Sequence, residues 1–289
     1  MILVTGATGT IGREVVARLP RGAAVRVLVR DPARMGPLPG GGEVVAGDYG
    51  DPASLAGPLT GVRVAFLVTV RPGSDDDANF VAAARTAGVR RIVKLSAAAV
   101  LDAGAADAVT AWQRGTEALL RDSGLAWTLV RPRSFMSHAL SWAPSVRAEG
   151  VVRTLFGTSA NSCVDPRDVA ACVVRLLTQE GHAGRSYVLS GPRAVTAVEQ
   201  TADLGRLLRR PLRHEELTLD AAGAAWRRRY PAAVAEALLA SARRQQAGAK
   251  TGVSGAVREL TGHEPRPFTD WARDHLAEFA ADASAPPPA

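Results

Sequence analysis

The chain is poor in lysine, cysteine and aromatic residues. Of its 35 basic residues only Lys94 and Lys250 are lysines, so arginine carries almost all of the positive charge behind a net charge of +7. This arginine usage, with abundant alanine, glycine and valine, is typical of GC-rich coding. The arginine-rich stretches at 206–213 and 226–230 lack interleaved aromatic residues that would stack on bases. The composition therefore predicts no nucleic-acid partner.

Three further absences bear on location and metal binding. The two cysteines, Cys163 and Cys172, have no metal-binding or redox spacing and are interpreted as reduced core thiols, so no metal is expected. No apolar run reaches the roughly 18–20 residues that a membrane span needs. The N-terminal MILVTGATG lacks the basic start of a signal peptide. These features predict a cytoplasmic protein with no membrane partner.

Short apolar segments alternate with amphipathic helical segments over the first 132 residues. The predicted strands lie at 2–6, 24–29, 43–47, 63–68, 90–96 and 126–132, and the predicted helices at 10–19, 51–59, 75–88 and 107–124. This alternation predicts an α/β fold, a doubly wound parallel sheet covered by helices on both faces.

After residue 132 the pattern becomes mainly helical, although 185–191 is typical of one last strand. We expect a dinucleotide-binding core and a smaller substrate region. The arginine-rich segment near 200–250 has no evident place in the main sheet, and we expect it to form a helical lid. The predicted core is 1–132 with 164–191, the substrate region is 133–163 with 192–281, and 282–289 is a disordered tail.

The strongest local signal is VTGATGTIG at residues 4–12. Its glycines, Gly6, Gly9 and Gly12, follow a predicted strand and precede a predicted helix, which is the context that a dinucleotide-binding motif requires. In such a motif the first glycine permits a tight turn, the second lets the backbone approach a pyrophosphate, and the third lets the helix pack on the sheet. The helix N-terminus then favours the phosphates.

Arg30 ends the second predicted strand, where folds that prefer NAD usually carry an acidic residue. A guanidinium there, helped by Arg34, pairs with a 2′-phosphate, so we expect NADPH, with NADH possible. The alternative is a surface pair between Arg30 and Asp31. Asp48 is placed to accept a hydrogen bond from the adenine amino group, and the alternative is that it caps the next helix. Tyr49 is placed to cover the adenine ring. The predicted cofactor residues are Gly6, Thr8, Gly9, Thr10, Ile11, Gly12, Arg30, Arg34, Asp48, Tyr49, Thr69, Pro132 and Phe135.

Several segments in order resemble the NmrA-like branch of the atypical short-chain dehydrogenase/reductases. They are VTGATGTIG, VLVRDP, GDYGDPASL, FLVTV, IVKLSA, SGLAWTLVRP, VDPRDVA and YVLSGP, within roughly residues 1–215. The resemblance implies a Rossmann fold with a smaller C-terminal part that shapes the substrate pocket. Some members reduce quinones or ketones with NADPH, and others bind the cofactor as redox sensors. Members from GC-rich bacteria are often tailoring enzymes of aromatic polyketides, which implies an aromatic small-molecule substrate.

The resemblance assigns Ser96 as the active-site serine, but it places the usual tyrosine and lysine at Val109 and Gln113. A positioned general acid contributes about 10²–10⁴-fold. Three explanations stay open: His138 replaces the acid unless it is only an exposed loop residue, a phenol on the substrate shares its proton with the ketone, or the chain is a non-catalytic sensor.

The sequence thus predicts an NADPH-dependent ketoreductase of an aromatic polyketide ketone or quinone, with substrate-assisted protonation. The alternative is a non-catalytic NADP-binding redox sensor. The oligomeric state stays open between monomer and dimer. Ser96 and His138 are the predicted catalytic residues. The predicted substrate residues are Ser96, Trp112, Gln113, Phe135, Met136, His138 and Trp142.

Overall fold

A computed structural model of the protein describes residues 1–38 and 41–280. The predicted disordered tail at 282–289 lies outside the described residues. The described part contains nine strands: β1 Ile2–Thr5, β2 Val25–Val29, β3 Glu43–Ala46, β4 Val64–Leu67, β5 Arg91–Leu95, β6 Ala126–Pro132, β7 Val151–Thr154, β8 Arg185–Leu189 and β9 Arg213–Glu216.

Seven of these strands form one sheet in the order β3-β2-β1-β4-β5-β6-β8, and every neighbouring pair is parallel. Strands of such a sheet are buried on both faces, which explains why they read as continuous apolar runs such as VAFL in β4. The order reverses between β1 and β4, and the carboxyl ends of the strands at that point are where α/β sheets bind ligands. The fold class predicted from the sequence is confirmed.

The helices of the described residues are α1 Thr10–Arg18, α2 Ala56–Leu59, α3 Asp76–Thr86, α4 Ala108–Asp122, α5 Ala143–Glu149, α6 Pro166–Thr178, α7 Ala197–Leu208, α8 Leu219–Arg229, α9 Ala232–Gln246, α10 Ala256–Thr261, α11 Phe268–Asp274 and α12 Leu276–Phe279. Short 3-10 helices lie at Pro32–Arg34, Pro52–Leu55, Ala98–Leu101 and Met136–Trp142. Asp107 caps α4 through the Thr110 amide and Asp165 caps α6 through the Arg167 amide, which explains where both helices begin.

Helices cover both faces of the sheet and form two apolar cores. One core joins α1 and α6 to the sheet, and the other joins α3 and α4 to the opposite face. The sequence analysis did not predict α10, whose Val257 and Leu260 are buried in the first core. A six-residue helix beside the glycine-rich TGVSG has too few turns to show a clear periodicity. The C-terminal region therefore returns to the dinucleotide-binding core once more than was predicted.

A second, two-stranded sheet joins the two parts of the substrate region. Its strands β7 and β9 run parallel, with Val151 opposite Arg213. Residues 200–250 are predicted to have no place in the main sheet, and none of them joins it, but 213–216 form a strand of this second sheet that was not predicted. The segment RHEE is entirely polar, so no alternation of apolar residues marks it as a strand.

The rest of the predicted lid is an arm made of α8, α9 and the loop that follows, residues 219–252, hereafter the helical arm. Its helices pack on each other, and α9 packs on α4. Arg244 of α9 lies 3.0 Å from the Asp107 carboxylate and 3.2 Å from that of Asp102. The arm is thus anchored beside the N-terminus of α4.

The structure also bears on location and metal binding. In the described residues, no helix combines the length and the apolarity that a membrane crossing requires. Cys163 and Cys172 are free and buried, and desolvation raises the pKa of their thiols to about 11 and about 12. Within residues 1–38 and 41–280, histidine, cysteine and carboxylate side chains form no cluster of three or more suited to a metal ion.

Candidate active site

The loop between β1 and α1 leaves little room for side chains at Gly6, Gly9 and Gly12. Gly6 has a φ of +64° and its carbonyl accepts from the Gly9 amide at 2.9 Å. A β-carbon on Gly12 would lie 2.2 Å from the Gly6 carbonyl oxygen. The first turn of α1 therefore presses against the loop, and the amides of Thr10, Ile11 and Gly12 have no partner within the helix. These amides form an anion-binding end for a pyrophosphate.

A cleft of about 570 Å³ opens beside this loop and extends past the ends of β2 and β4. Its volume lies in the range of small-molecule sites. Its lining residues fit the adenosine half of a dinucleotide, because backbone approaches from the loop and cationic side chains from the end of β2 meet there. A bound reduced nicotinamide cofactor supplies a hydride. The predicted residues that line the cleft are Gly6, Thr8, Gly9, Arg30, Arg34, Asp48 and Tyr49.

Arg30 and Arg34 stand exposed in this cleft. Within the described part of the chain, neither forms an ion pair with a carboxylate. Asp31 instead caps the 3-10 helix at Pro32–Arg34, accepting from the Ala33 amide at 3.1 Å. The Arg30–Asp31 surface pair is therefore absent from the described contacts, and both guanidinium groups face the cleft with their charge available.

Asp48 and Tyr49 shape the cleft wall. Asp48 Oδ1 accepts from the Gly50 amide at 2.9 Å, and the cap of the following 3-10 helix is Asp51 rather than Asp48. The Tyr49 hydroxyl donates to the Val68 carbonyl at 3.0 Å, and burial raises the pKa of this tyrosine. Tyr49 is therefore a fixed part of the cleft wall, and its hydroxyl proton is engaged by the Val68 carbonyl.

Arg71 is a cleft residue that the sequence analysis missed. It follows β4, and its guanidinium pairs with Asp76 at 2.6 Å and approaches Asp48 at 3.7 Å. The run DDD at 75–77 is typical of the acidic first turn of a helix, so nothing in the pattern indicates that one of its carboxylates orients an arginine at the cleft.

Ser96, at the end of β5, donates its hydroxyl proton to Glu117 Oε1 at 2.6 Å. Glu117 lies on α4, is buried, and is held by Arg131 of β6 and by Arg121. Desolvation opposes ionisation of Glu117, but the hydrogen bonds from Arg131 and Ser96 prevail and lower its pKa. In this arrangement Ser96 offers a ligand lone pairs only. The hydroxyl proton of the predicted catalytic serine is thus bound to an internal carboxylate.

A second buried ion pair lies under the neighbouring strands. Lys94 of β5 is fully buried, with Nζ 3.0 Å from Asp77 Oδ1 and 2.8 Å from Thr69 Oγ1. Desolvation lowers the pKa of Lys94, while Asp77 opposes that shift. Thr69, predicted as a cofactor residue, is held inside this network. The Lys94 ammonium also lies 5.7 Å from the centre of the Trp112 ring.

Helix α4 offers polar atoms but no acid at this site. Val109 and Gln113 stand at the positions of the absent tyrosine and lysine. Trp112 Nε1 and Gln113 Oε1 are buried and find no partner within the described residues. A buried polar atom without a partner is costly, and at a ligand site the ligand relieves that cost. The helix therefore presents one unpaired donor and one unpaired acceptor.

The predicted residues after β6 separate into two groups. Pro132 ends β6, and the rings of Phe135 and His138 meet edge to face at 5.7 Å. Met136 and Trp142 instead pack in the apolar core of the substrate region. The His138 side chain is exposed, and desolvation, followed by repulsion from Lys250, lowers its pKa. A neutral imidazole is a weaker acid than its cation.

Comparisons with known proteins agree with this geometry. The NAD(P)H-binding family matches residues 6–180. Over 282 residues the chain is 55% identical to a (4-alkanoyl-5-oxo-2,5-dihydrofuran-3-yl)methyl phosphate reductase of Streptomyces griseus, covering 98% of this chain and 100% of that protein. It is 34% identical over 290 residues to an NAD(P)H azoreductase of Xenophilus azovorans, covering 97% and 100%.

Among solved structures, an NADPH complex of a quinone oxidoreductase from Escherichia coli superposes with a TM-score of 0.82 and 26% identity, covering 96% of this chain and 100% of that one. The chain therefore belongs to the NAD(P)H-binding family, in the NmrA-like branch of the atypical short-chain dehydrogenase/reductases, and is an NAD(P)H-dependent oxidoreductase.

Proposed function

We propose that this oxidoreductase uses NADPH to reduce the conjugated carbon–carbon double bond of an acylated dihydrofuranone that carries a phosphorylated hydroxymethyl group. The observation that carries the proposal is that, among the described residues, neither Ser96 nor the two α4 positions of the expected tyrosine and lysine offers a proton to a ligand. Its hydroxyl proton is bound to Glu117, and Val109 and Gln113 replace the usual acid and its partner. A substrate that accepts hydride without simultaneous protonation suits such a site.

The chemistry of this substrate class removes the need for a strong acid. Hydride adds to the ring carbon that bears the phosphorylated methylene, and the electron pair of the double bond moves to the adjacent ring carbon. That carbon lies between the acyl and lactone carbonyls, so the negative charge spreads over two oxygens. Water then delivers a proton to the carbon. The products are the saturated lactone and the oxidised cofactor.

The residues of the site have separate tasks in this proposal. The loop at Gly6–Gly12 and the two arginines after β2 hold the cofactor. Trp112 Nε1, a buried donor without a partner in the described residues, stabilises charge that develops on a carbonyl oxygen. Gln113 Oε1 accepts a hydrogen bond from the bound cofactor or substrate. Ser96 orients the acceptor with its lone pairs and does not protonate it.

The aromatic polyketide ketone or quinone predicted from the sequence is the second candidate. Two relatives support this candidate, because they are named as an NAD(P)H azoreductase and a quinone oxidoreductase, and azo compounds and quinones are conjugated acceptors. In this version a phenol beside the ketone shares its proton with the oxygen that receives charge. Neither candidate needs a general acid from the protein. They differ in which substrate atoms carry the negative charge after hydride transfer.

The test is loss of NADPH absorbance with a matched panel of substrates. The panel contains the acyl dihydrofuranone phosphate, its dephosphorylated form, a simple quinone, and a hydroxyanthraquinone with and without O-methylation. The proposal requires the highest kcat/KM with the phosphorylated dihydrofuranone. Faster reduction of the hydroxyanthraquinone would favour the second candidate. Tight NADPH binding without turnover of any member would favour the sensor role.

A further inference from the structure

The loop at the end of the helical arm, residues 249–252, is held against the segment that follows the C-terminal end of β6. Arg133, directly after β6, donates through Nη1 to the Ala249 carbonyl at 3.0 Å. Ser162 donates through its amide to the Lys250 carbonyl at 2.9 Å, and its hydroxyl bonds to the Gly252 carbonyl at 2.7 Å. These bonds hold the backbone of 249–252 and therefore determine where the Lys250 side chain begins.

Four basic side chains lie near this loop: Arg133, His138, Arg244 and Lys250. Arg244 is paired with Asp102 and Asp107. Over residues 1–38 and 41–280, neither Arg133 nor Lys250 forms an ion pair with a carboxylate. Lys250 Nζ reaches Gln245 Oε1 only at 3.5 Å.

Arg133 is closely packed although part of its hydrogen-bonding capacity is unused. Its Nε is buried and bonds to none of the described residues. A β-carbon on Gly252 would lie 2.9 Å from Arg133 Nη2, so the loop passes directly over the guanidinium. A buried N–H donor on a positioned cation is suited to a charge-assisted bond with an anionic ligand.

Electrostatic repulsion acts within this group. Desolvation, followed by the charges of Arg244 and Arg133, lowers the pKa of Lys250 to about 8. Lys250 in turn helps to lower the pKa of His138. Like charges collected beside one loop repel one another, and a bound dianion is attracted to all of them.

We propose that Arg133 and Lys250 form a receptor for a phosphate monoester, with His138 at its edge. The assignment of that phosphate to the substrate rests on the proposed function. Ser96 donates its amide to the Val130 carbonyl at 2.7 Å, so the receptor begins three residues beyond the point where β6 contacts Ser96. It is separate from the amides of the β1–α1 loop, which serve the cofactor pyrophosphate.

The scarcity of lysine gives a direct test that needs no turnover. Pyridoxal 5′-phosphate carries an aldehyde and a phosphate monoester. Its aldehyde forms an imine with a neutral amine, releasing water, and borohydride then supplies hydride to leave a stable secondary amine. Lys94 is fully buried, so Lys250 is the lysine expected to react, and the N-terminal amine serves as an internal reference.

In the full-length protein, we expect pyridoxal 5′-phosphate to label Lys250 at least about tenfold faster than pyridoxal, relative to the N-terminal amine in each case. Inorganic phosphate should slow labelling of Lys250 and not of the reference. Arg133→Gln should remove the advantage of the phosphorylated reagent. Equal labelling by both reagents, with no protection by phosphate, would overturn the receptor.

A second measurement separates this inference from the proposed function. Lys250→Met should reduce the kcat/KM ratio between phosphorylated and dephosphorylated dihydrofuranone by about ten- to hundredfold, mainly through KM, and Lys250→Arg should restore most of it. If phosphate protects Lys250 but the dihydrofuranone phosphate is not reduced, the receptor stands and the proposed substrate fails. If that substrate is reduced and the ratio is unchanged in Lys250→Met, the receptor fails and the function stands.

Discussion

Ser96 Oγ lies 2.6 Å from Glu117 Oε1, and this bond turns the serine proton away from the ligand side of the site. Glu117 stays ionised because Arg131 and Arg121 hold it as well. A pair of buried charges therefore decides what the serine can do. The site is built to position a conjugated acceptor and to receive charge, and proton delivery is left to the substrate or to water.

Removing the charge of Glu117 should destabilise the fold. Glu117→Gln leaves Arg131 buried without its ionic partner, and breaking such a pair costs about 3–5 kcal/mol. Chemical denaturation measures the loss, and Asp122→Asn on the exposed side of α4 is the matched control. The pKa of Glu117 is lowered in the folded protein, so its contribution to stability is lost as the pH falls through that pKa. The difference in free energy of unfolding between wild type and Glu117→Gln should therefore shrink in acid. A difference below about 1 kcal/mol at neutral pH would contradict the buried pair.

Ser96→Ala and Gln113→Ala should retain turnover. Neither side chain supplies a proton in this site, so we expect losses in kcat nearer tenfold than the ten-thousandfold of a missing general acid. Steady-state kinetics with saturating NADPH measure both variants. His138→Ala is the decisive comparison, because loss of activity in that variant alone would identify His138 as the acid.

Arg30→Asp should weaken NADPH binding and reduce or invert the preference over NADH. The carboxylate repels the 2′-phosphate that the exposed guanidinium attracts, and a charge-assisted bond contributes about 1.5–3 kcal/mol. Titration calorimetry measures both cofactors. Arg90→Asp, an equal change of charge at an exposed residue before β5, is the control. Equal affinity of the wild-type protein for both cofactors would show that Arg30 does not select.

Activity on the phosphorylated substrate should decline above pH 8. The pKa of Lys250 is lowered to about 8, so the ammonium is present below that pH and is lost above it. The kcat/KM for the phosphorylated substrate should therefore fall in alkali, while that for the dephosphorylated substrate should not show this step. Lys250→Arg should move the decline out of the accessible range. Identical pH profiles for the two substrates would contradict the assignment.

Hydrogen exchange should distinguish the two helices of the arm. Helix α9 is tied to α4 through Arg244, whereas α8 contacts chiefly α9 and has few buried residues. We expect α8 to exchange faster in the free protein and to slow when substrate and cofactor bind. Arg244→Gln should make α9 exchange as fast as α8. Protection of α8 that is unchanged by ligands would contradict a gating role.

The sequence predicted the sheet and the glycine loop because both depend on local signals. Each strand of the main sheet is a short apolar run, and Gly6, Gly9 and Gly12 occur at a strand–helix boundary. The strand β9 has no such signal, because its RHEE segment gains its partner only when residue 213 meets residue 151. Pairing across 62 residues is decided by tertiary contacts, which a local pattern does not record.

The charged residues under the site were missed for a related reason. Glu117 and Arg131 resemble ordinary polar positions of a helix and a strand, and Lys94 was noted only for its rarity. Their burial depends on α4, β5 and β6 meeting at one edge of the sheet. Likewise Arg133 and Lys250 are separated by 117 residues, and they meet because the loop 249–252 crosses the exit of β6.

The return of α10 to the main core limits how this protein can be divided or recombined. Val257 and Leu260 fill the apolar layer shared with α1 and α6, although they lie beyond the helical arm in the chain. A chimera in which everything after residue 191 comes from a relative would thus replace part of the main apolar core along with the substrate region. Exchange of 197–252 alone keeps that layer intact, so new specificities should be easier to obtain by transplanting this internal segment than by swapping C-terminal halves.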